Sequence, residues 1–197
     1  MCIRDRYKTA LSNKGTFIRS VNQAQTWLAS GTVDLPYKPS NWLDRRIINI
    51  EPEAIKKMVL LRSDSSSFII ARDNPNEKFS ALTSRGLIEL QDELEKTFTS
   101  SVSKLTFDDV FPRNEKEASS IEFEIVIFTF SGLEIKLKLW NSDKIWLVNL
   151  MSKVDEVAVD GNSKSRSDKL NERFHGWDFQ IAKWKAEKFL TMLHAAP

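Results

Sequence analysis

The clearest pattern along the chain is an alternation of apolar and polar residues in its second half. In residues 133–140, Ile135, Leu137 and Leu139 alternate with charged residues. A strand with one buried face has this period of two. Flanking runs have a similar apolar content and are separated from it by turns at residues 131–132 and 141–144. The three runs predict an antiparallel meander with one solvated face: residues 121–130, 133–140 and 145–151.

Other periodic segments predict further strands and helices. Residues 55–62 and 68–72 are strand-like and are joined by a polar turn. Ser84 is predicted to cap a helix, because apolar residues recur after it at helical steps. A last helix is predicted over residues 182–194, whereas the polar residues 160–167 predict a loop. The stripe after Ser84 consists of Leu87, Leu90, Leu94 and Phe98.

Together these elements predict an α+β fold. Its antiparallel sheet contains the three-stranded meander plus further strands, and helices pack on one face. A strand, a short polar helical run, a tryptophan and an amphipathic segment occur near residues 15–50 and again near 145–193, which predicts that the sheet belongs to the second of two similar repeats. Residues 7–50 are then the tail of an upstream repeat plus a connector, and residues 51–197 form the α+β domain.

The first six residues look foreign to the protein. Residues 1–6, MCIRDR, resemble the translated adapter end of a sequencing library, so we expect them to be an artefact in a metagenomic gene fragment. Cys2, the only cysteine, would then carry no native chemistry. An authentic N-terminal tail is the alternative.

Composition excludes some partners. The 197 residues are 41% hydrophobic and 28% charged, which is typical of a globular chain. With 29 basic and 27 acidic side chains the net charge is only +2, so we expect no nucleic-acid partner. No apolar run approaches the roughly 18 residues that span a bilayer.

The search for catalytic or metal chemistry predicts neither an enzyme nor a cofactor. The two histidines, His175 and His194, are far apart in sequence and have no cysteine beside them. Asp108 and Asp109 would diverge on a strand rather than share a site. A basic run is expected to be a solvated loop rather than a phosphate contact: Lys164, Arg166, Lys169 and Arg173.

Four residues are candidates for contact with a partner. Arg45 and Arg46 follow Trp42 and precede an apolar run, and Trp184 lies among polar residues. Exposed Trp and Arg are typical of binding hot spots. The structural alternative is that the arginines pair with Asp44, Glu51 or Glu53, or stack on Trp42.

Three segments carry a resemblance to a known family: QTWLASGTVDLP (25–36), NWLDRRIINI (41–50) and GWDFQIAKWKAEKF (176–189). They resemble a bacterial family called domain of unknown function 4340, and the resemblance would cover nearly all of the chain after Arg6. It implies a protein with one N-terminal transmembrane helix and an extracytoplasmic α+β region, encoded beside gliding-motility-type ABC transporter components. This chain is then expected to be the C-terminal part of such a protein, at the extracytoplasmic face of the inner membrane, with membrane contact only through an upstream anchor. The family supplies no catalytic residues.

We therefore expect a non-enzymatic, extracytoplasmic protein-interaction module that is accessory to an ABC transport assembly, with transporter components as partners. The alternative is a small-ligand or glycan-binding module that uses exposed tryptophans and needs a concave pocket with convergent polar groups. A hydrolase is the least favoured class, because it needs a nucleophile and a base within hydrogen-bond reach.

Overall fold

The computed structural model describes residues 2–7, 15–31, 36–64, 66–83, 86–114, 121–155 and 161–194. The chain divides into two compact units, Met1–Leu43 and Asp44–Pro197. The first unit contains a three-stranded antiparallel sheet in the order β1 (Cys2–Tyr7), β2 (Gly15–Arg19) and β3 (Trp27–Ser30). A short 3-10 helix, Pro39–Trp42, follows.

The first unit buries little apolar surface. Trp27 and Leu28 on β3 are both more than half exposed, although neighbouring strand residues point to opposite faces. Among the side chains that can be described in this unit, only Thr16 and Ser40 are buried. A small sheet needs an apolar face covered by other elements to be stable by itself. The side chains of the first unit whose burial can be described, from Gly15 onward, thus do not form a hydrophobic core.

Within the described ranges the second unit contains nine strands, three α-helices and one short 3-10 helix, Pro52–Ala54. The strands are β4 (Ile55–Arg62), β5 (Ser67–Ala71), β6 (Ser80–Thr83), β7 (Gly86–Glu89), β8 (Asp109–Pro112), β9 (Phe123–Thr129), β10 (Leu133–Ser142), β11 (Ile145–Val154) and β12 (Trp177–Ile181). The helices are α1 (Asp92–Ser103), α2 (Gly161–Phe174) and α3 (Lys183–His194). All neighbouring strands are antiparallel, in the order β7-β6-β5-β4-β9-β10-β11-β12-β8.

The predicted α+β fold and its meander are confirmed. Strands β9, β10 and β11 pair in sequence order, and Leu137 lies opposite Ile125 on one side and Leu150 on the other. These three residues are buried. On the opposite face Glu124 lies 3.2 Å from Lys136, across the strand pair. Over residues 133–139 the alternation along β10 therefore separates a buried face from a charged face, as the sequence predicts. Trp140 continues the charged face but is fully buried.

All three helices pack on the apolar face of the sheet; the sequence predicts helices on one face but not α2 among them. Each helix buries one phenylalanine against a phenylalanine of a strand. Directly opposed residues of neighbouring strands point to the same face, and the strand registers place these three strand residues on one face of the sheet. The large rings supply much of the buried apolar area. The centroid distances are 5.3 Å for Phe98–Phe68, 4.9 Å for Phe174–Phe179 and 6.3 Å for Phe189–Phe123.

The helix predicted from Ser84 begins later than expected. Ser84 lies outside the described residues, and Leu87 belongs to strand β7 with its side chain 72% exposed. The hairpin with β6 satisfies backbone groups that a helix would otherwise have used. Helix α1 begins at Asp92, and the three acidic residues of its first turn stabilise it by interacting with the positive end of the helix dipole.

The loop predicted over residues 160–167 was wrong, because α2 begins at Gly161. Its inward face carries the small polar residues Ser163 and Ser167 before Phe174, so an apolar stripe is visible only near its end. Asn171 bonds both backbone groups of Ser152: its amide nitrogen donates to the carbonyl (2.7 Å), and its oxygen accepts from the N–H (2.8 Å). The helix thus covers a stretch of β11 that β12 does not reach. None of the described helices combines the length and apolarity needed to cross a membrane.

Candidate protein-contact site

The segment from residue 44 to residue 50 is fastened to the loop between α1 and β8. The N–H groups of Ile47 and Ile48 both donate to the carbonyl of Leu105, at 2.7 and 3.2 Å. The N–H of Phe107 donates to the carbonyl of Arg45 at 2.9 Å. These main-chain bonds place Arg45 and Arg46 beside residues 105–108.

Arg45 is held by the same loop. Its Nε donates to the carbonyl of Phe107 at 2.6 Å, and a terminal nitrogen donates to the carboxylate of Asp108 at 2.5 Å. The side chains of Arg45 and Asp108 are 41% and 40% exposed. The structure therefore gives Arg45 an intramolecular carboxylate partner that the sequence alternatives did not include.

Arg46 pairs with Asp44, which was one of the predicted partners. Two guanidinium nitrogens donate to the two carboxylate oxygens, each at 2.8 Å. This fork geometry fits a carboxylate well, and the side-chain hydrogen bond from Arg46 lowers the pKa of Asp44 far below its usual range. The same bond raises the pKa of Arg46. Arg173 on α2 also donates to the main-chain carbonyl of Asp44, which ties the helix to this segment.

Trp42 belongs to the first unit. Its side chain is 62% exposed, and its indole N–H donates to the carbonyl of Pro36 at 3.1 Å. The indole therefore has one satisfied polar contact while most of its surface faces solvent.

Trp184 lies at a small pocket where the end of α1 meets the beginning of α3. The pocket has a volume of about 90 Å³, and Trp184 itself is 63% exposed. Three cationic side chains line it, and no carboxylate is among its lining residues. We call this the Trp184 pocket, lined by Ser100, Ser101, Lys104, Leu105, Trp184, Lys185 and Lys188.

Lys185 is the most constrained cation of the Trp184 pocket. Its Nζ donates to the carbonyl and to the hydroxyl of Thr106, at 2.8 and 2.7 Å. Burial lowers the pKa of Lys185, while the nearby Asp108 carboxylate acts in the opposite direction. Nζ also lies 5.6 Å from the ring centre of Trp184. The ammonium is thus fixed between the indole and the loop.

A sequence model of a family described as a domain of unknown function (DUF4340) matches residues 8–123, which is more than half of the chain. The chain belongs to this family. The predicted family is therefore confirmed, with residues 25–36 and 41–50 inside the DUF4340 match and residues 176–189 beyond it. No curated protein and no solved structure matches the chain.

The Trp184 pocket combines residues inside the DUF4340 match with residues that follow its end at residue 123. Lys104 lies within the matched range, whereas Trp184 and Lys188 follow it by about 60 residues or more. Three of the four predicted contact residues converge on one loop: Arg45 bonds Phe107, Arg46 forms an isolated β-bridge with Thr106, and Trp184 precedes the lysine that bonds Thr106. Trp42 lies in the other unit.

Sequence reasoning missed the lysines of the pocket. The local signal was the run Lys183-Trp184-Lys185 followed by Lys188, which places several cations around one tryptophan on a helix. Lys104 could not be associated with them from sequence, because it ends a different helix 80 residues earlier. Only the packing of α1 against α3 brings these groups together.

The other chemical candidates have structural contacts. Asp108 pairs with Arg45, whereas Asp109 accepts a hydrogen bond from the N–H of Val110 at 3.0 Å. The backbone N–H of His175 donates to the carbonyl of Asn171, and the side chain of His194 lies outside what can be described. No cluster of three potential metal ligands is found among the described residues.

The basic run belongs to α2 rather than to a loop. Arg166 donates to the carbonyl of Asn49 at 2.7 Å, and Arg173 contacts Asp44. Two members of the run therefore fasten the helix to the segment that precedes the sheet. Lys164 and Lys169 are exposed on the same helix.

Proposed function

We propose that this DUF4340 chain is a non-enzymatic module that contacts a protein partner through the Trp184 pocket. The observation that carries the proposal is an exposed tryptophan beside Lys104, Lys185 and Lys188, with no carboxylate lining the pocket. Tryptophan supplies a large rigid contact area, and a cluster of cations favours an acidic partner.

The size of the pocket favours a single acidic side chain as its occupant. The pocket has a volume of only about 90 Å³. Sites for drug-sized ligands usually measure about 300–1,000 Å³. A carboxylate from a partner protein suits this space, whereas a sugar ring does not. A small free anion is the second candidate, because the same lysines would bind it.

The cellular setting is part of the proposal and follows from the family resemblance. In that setting the chain acts at the extracytoplasmic face of the inner membrane, and its partner is a component of an ABC transport assembly. The three lysines then predict an acidic contact surface on that component.

The pocket can be tested by titrating the isotopically labelled chain with a hexaglutamate peptide at low ionic strength. We expect chemical-shift changes concentrated at Trp184, Lys188 and the end of α1, and little effect from a hexaserine peptide. Lys188→Glu should weaken binding by about tenfold or more, which corresponds to about 1.4 kcal/mol. Inorganic phosphate is the matched probe for the small-anion alternative.

Lys183→Glu is the control, because Lys183 is on the same helix but does not line the pocket. It makes an exposed ion pair with Glu187 at 3.3 Å, which contributes little to stability. Equal weakening by both substitutions would reject the pocket in favour of general charge attraction. Phosphate that competes fully with hexaglutamate and binds as tightly would support the small-anion function instead.

The setting needs a separate test in cells. The gene is expressed together with the transporter genes that the family resemblance predicts beside it, and the chain is purified by a tag. We expect transporter components to copurify with the wild type and less with Trp184→Ala. Copurification that is absent, or unchanged by both Trp184→Ala and Lys188→Glu, would reject the transporter partner.

A further inference from the structure

A second surface lies at the other side of the sheet, where β7 is the outermost strand in the described sheet order. The N–H of Leu90 donates to the carbonyl of Phe79 at 2.8 Å. In an antiparallel ladder the direction of the backbone groups alternates along each strand. Ile88 therefore bonds β6, and the backbone N–H and carbonyl groups of Leu87 and Glu89 point outward.

The two edges of this sheet differ in their protection. At the β8 edge Pro112 has no N–H, and the Asp109 carboxylate accepts the N–H of Val110. Proline and charge are devices that prevent unwanted strand pairing. Strand β7 instead carries Leu87 and Ile88, whose side chains are 72% and 44% exposed. Glu89 is the one charged residue of β7, and the strand has no proline. Among the described residues no strand pairs with its outer edge, so that edge is open to pairing.

An open groove of about 520 Å³ lies between β7 and α1. Ile88 contributes to its wall and pairs with the buried Ala81, which places Ile88 on the helix-covered face. Leu90, Leu94 and Thr97 continue the wall. A strand added to β7 would place alternate side chains in this groove and the others beside Leu87.

The charges of the groove distinguish between possible occupants. Glu89 and Glu93 line it, and no lysine or arginine does. Glu89 also pairs with Lys78 at 3.2 Å, while no ion pair to Glu93 is found among the described residues. A second copy of this chain would bring like charges together at the paired edges, which is unfavourable. A basic segment of another protein would be attracted.

We propose that the outer edge of β7 and the groove beside α1 bind an extended segment of a partner protein, which adds a strand to the sheet. The segment has apolar side chains at alternate positions and a lysine or arginine that reaches Glu93. This site rests on the proposed function in that both describe protein contact, but it is separate from the Trp184 pocket and favours the opposite charge.

The test uses a fluorescent peptide, Lys-Val-Thr-Val-Thr-Val-Lys, and the intact chain. We expect saturable binding below about 1 mM, measured by fluorescence anisotropy. Hydrogen exchange at the Leu87 and Glu89 amides should slow on binding, because only these β7 amides point outward. A peptide with glutamates in place of both lysines should bind about tenfold or more weakly.

Ile88→Lys is the disrupting variant, since it places a cation in the groove, and it should weaken binding by about tenfold or more. Trp184→Ala is the control and should leave this peptide's affinity unchanged. Binding lost in Trp184→Ala would place the peptide at the Trp184 pocket and overturn the inference while leaving the proposed function standing.

Two other results would also overturn the inference. One is no binding at about 1 mM, or binding without slower exchange at Leu87 and Glu89. The other is a dimer in sedimentation experiments whose β7 amides are protected without peptide, because the occupant would then be a second copy. Circular dichroism checks that Ile88→Lys is folded. If it is not, the Leu87 and Glu89 exchange rates of the wild type decide the test.

Discussion

Arg72 provides the sharpest test of how the second unit is held together. Arg72 is only 9% exposed, and its guanidinium carbon lies 4.3 Å from the centre of the Phe79 ring. It donates to three main-chain carbonyls, those of Pro52 (2.5 Å), Ile55 (2.9 Å) and Glu77 (3.3 Å). One side chain thus joins the beginning of β4 to the loop after β5.

The substitution Arg72→Met retains an apolar stem of similar length and removes the polar contacts. Each hydrogen bond contributes about 1 kcal/mol net, because folding exchanges hydrogen bonds to water for hydrogen bonds within the protein. The stacking on Phe79 adds about 0.5–1 kcal/mol. We therefore expect a loss of about 3–4 kcal/mol in the free energy of unfolding. For a unit of this size the melting temperature should fall by about 6–16 °C.

Urea unfolding followed by tryptophan fluorescence and circular dichroism measures this loss. Arg72→Lys keeps the charge but loses the planar fork, so we expect an intermediate loss of about 1–2 kcal/mol. Arg62→Met is the control, because Arg62 is more exposed and makes only a 3.7 Å contact with Asp64. Its effect should stay within about 0.5 kcal/mol. A loss below about 1 kcal/mol for Arg72→Met, or an equal loss for Arg62→Met, would refute the reasoning.

Two further predictions concern the contacts of α2 and of the segment that precedes the sheet. Asn171→Ala removes both bonds to Ser152 and should cost about 1–2 kcal/mol in unfolding free energy, with faster hydrogen exchange at the Ser152 amide. Asn171→Asp keeps the acceptor, so that amide should stay protected. Unchanged hydrogen exchange at the Ser152 amide in Asn171→Ala would contradict this role of Asn171. The folded-state pKa of Asp44 is lowered, so its pairing stabilises the fold above the usual carboxyl pKa of 3.8, and this stability is lost as the pH falls below it. Asp44→Asn should therefore flatten the decrease in urea midpoint between about pH 5 and pH 2, whereas Asp168→Asn on the exposed surface of α2 should not. An unchanged slope in Asp44→Asn would show that this pair does not contribute.

Part of the candidate site could be predicted from local sequence. Arg46 has Asp44 two residues away, so their pairing was a foreseeable alternative. Arg45 finds Asp108, which is 63 residues distant, and nothing local indicates that partner. The exposure of Trp184 agrees with its polar neighbours, but its pocket needs Lys104 from another helix. Sequence reasoning thus found the aromatic residue and missed its charged surroundings.

The sequence by itself determined the meander, the late helix and the α+β class, because their periods of two or of three to four residues follow directly from backbone geometry. It did not determine α2, whose inward face uses serine hydroxyls instead of a continuous apolar stripe and whose exposed Asn171 bonds the backbone of β11. Leu87 likewise fits a helical period in the sequence, but it belongs to edge strand β7, which forms a hairpin with β6. Tertiary structure decided α2, because its hydrogen bonds reach Ser131 and Ser152, which lie 15–32 residues away along the chain, whereas the local hairpin with β6 decided β7.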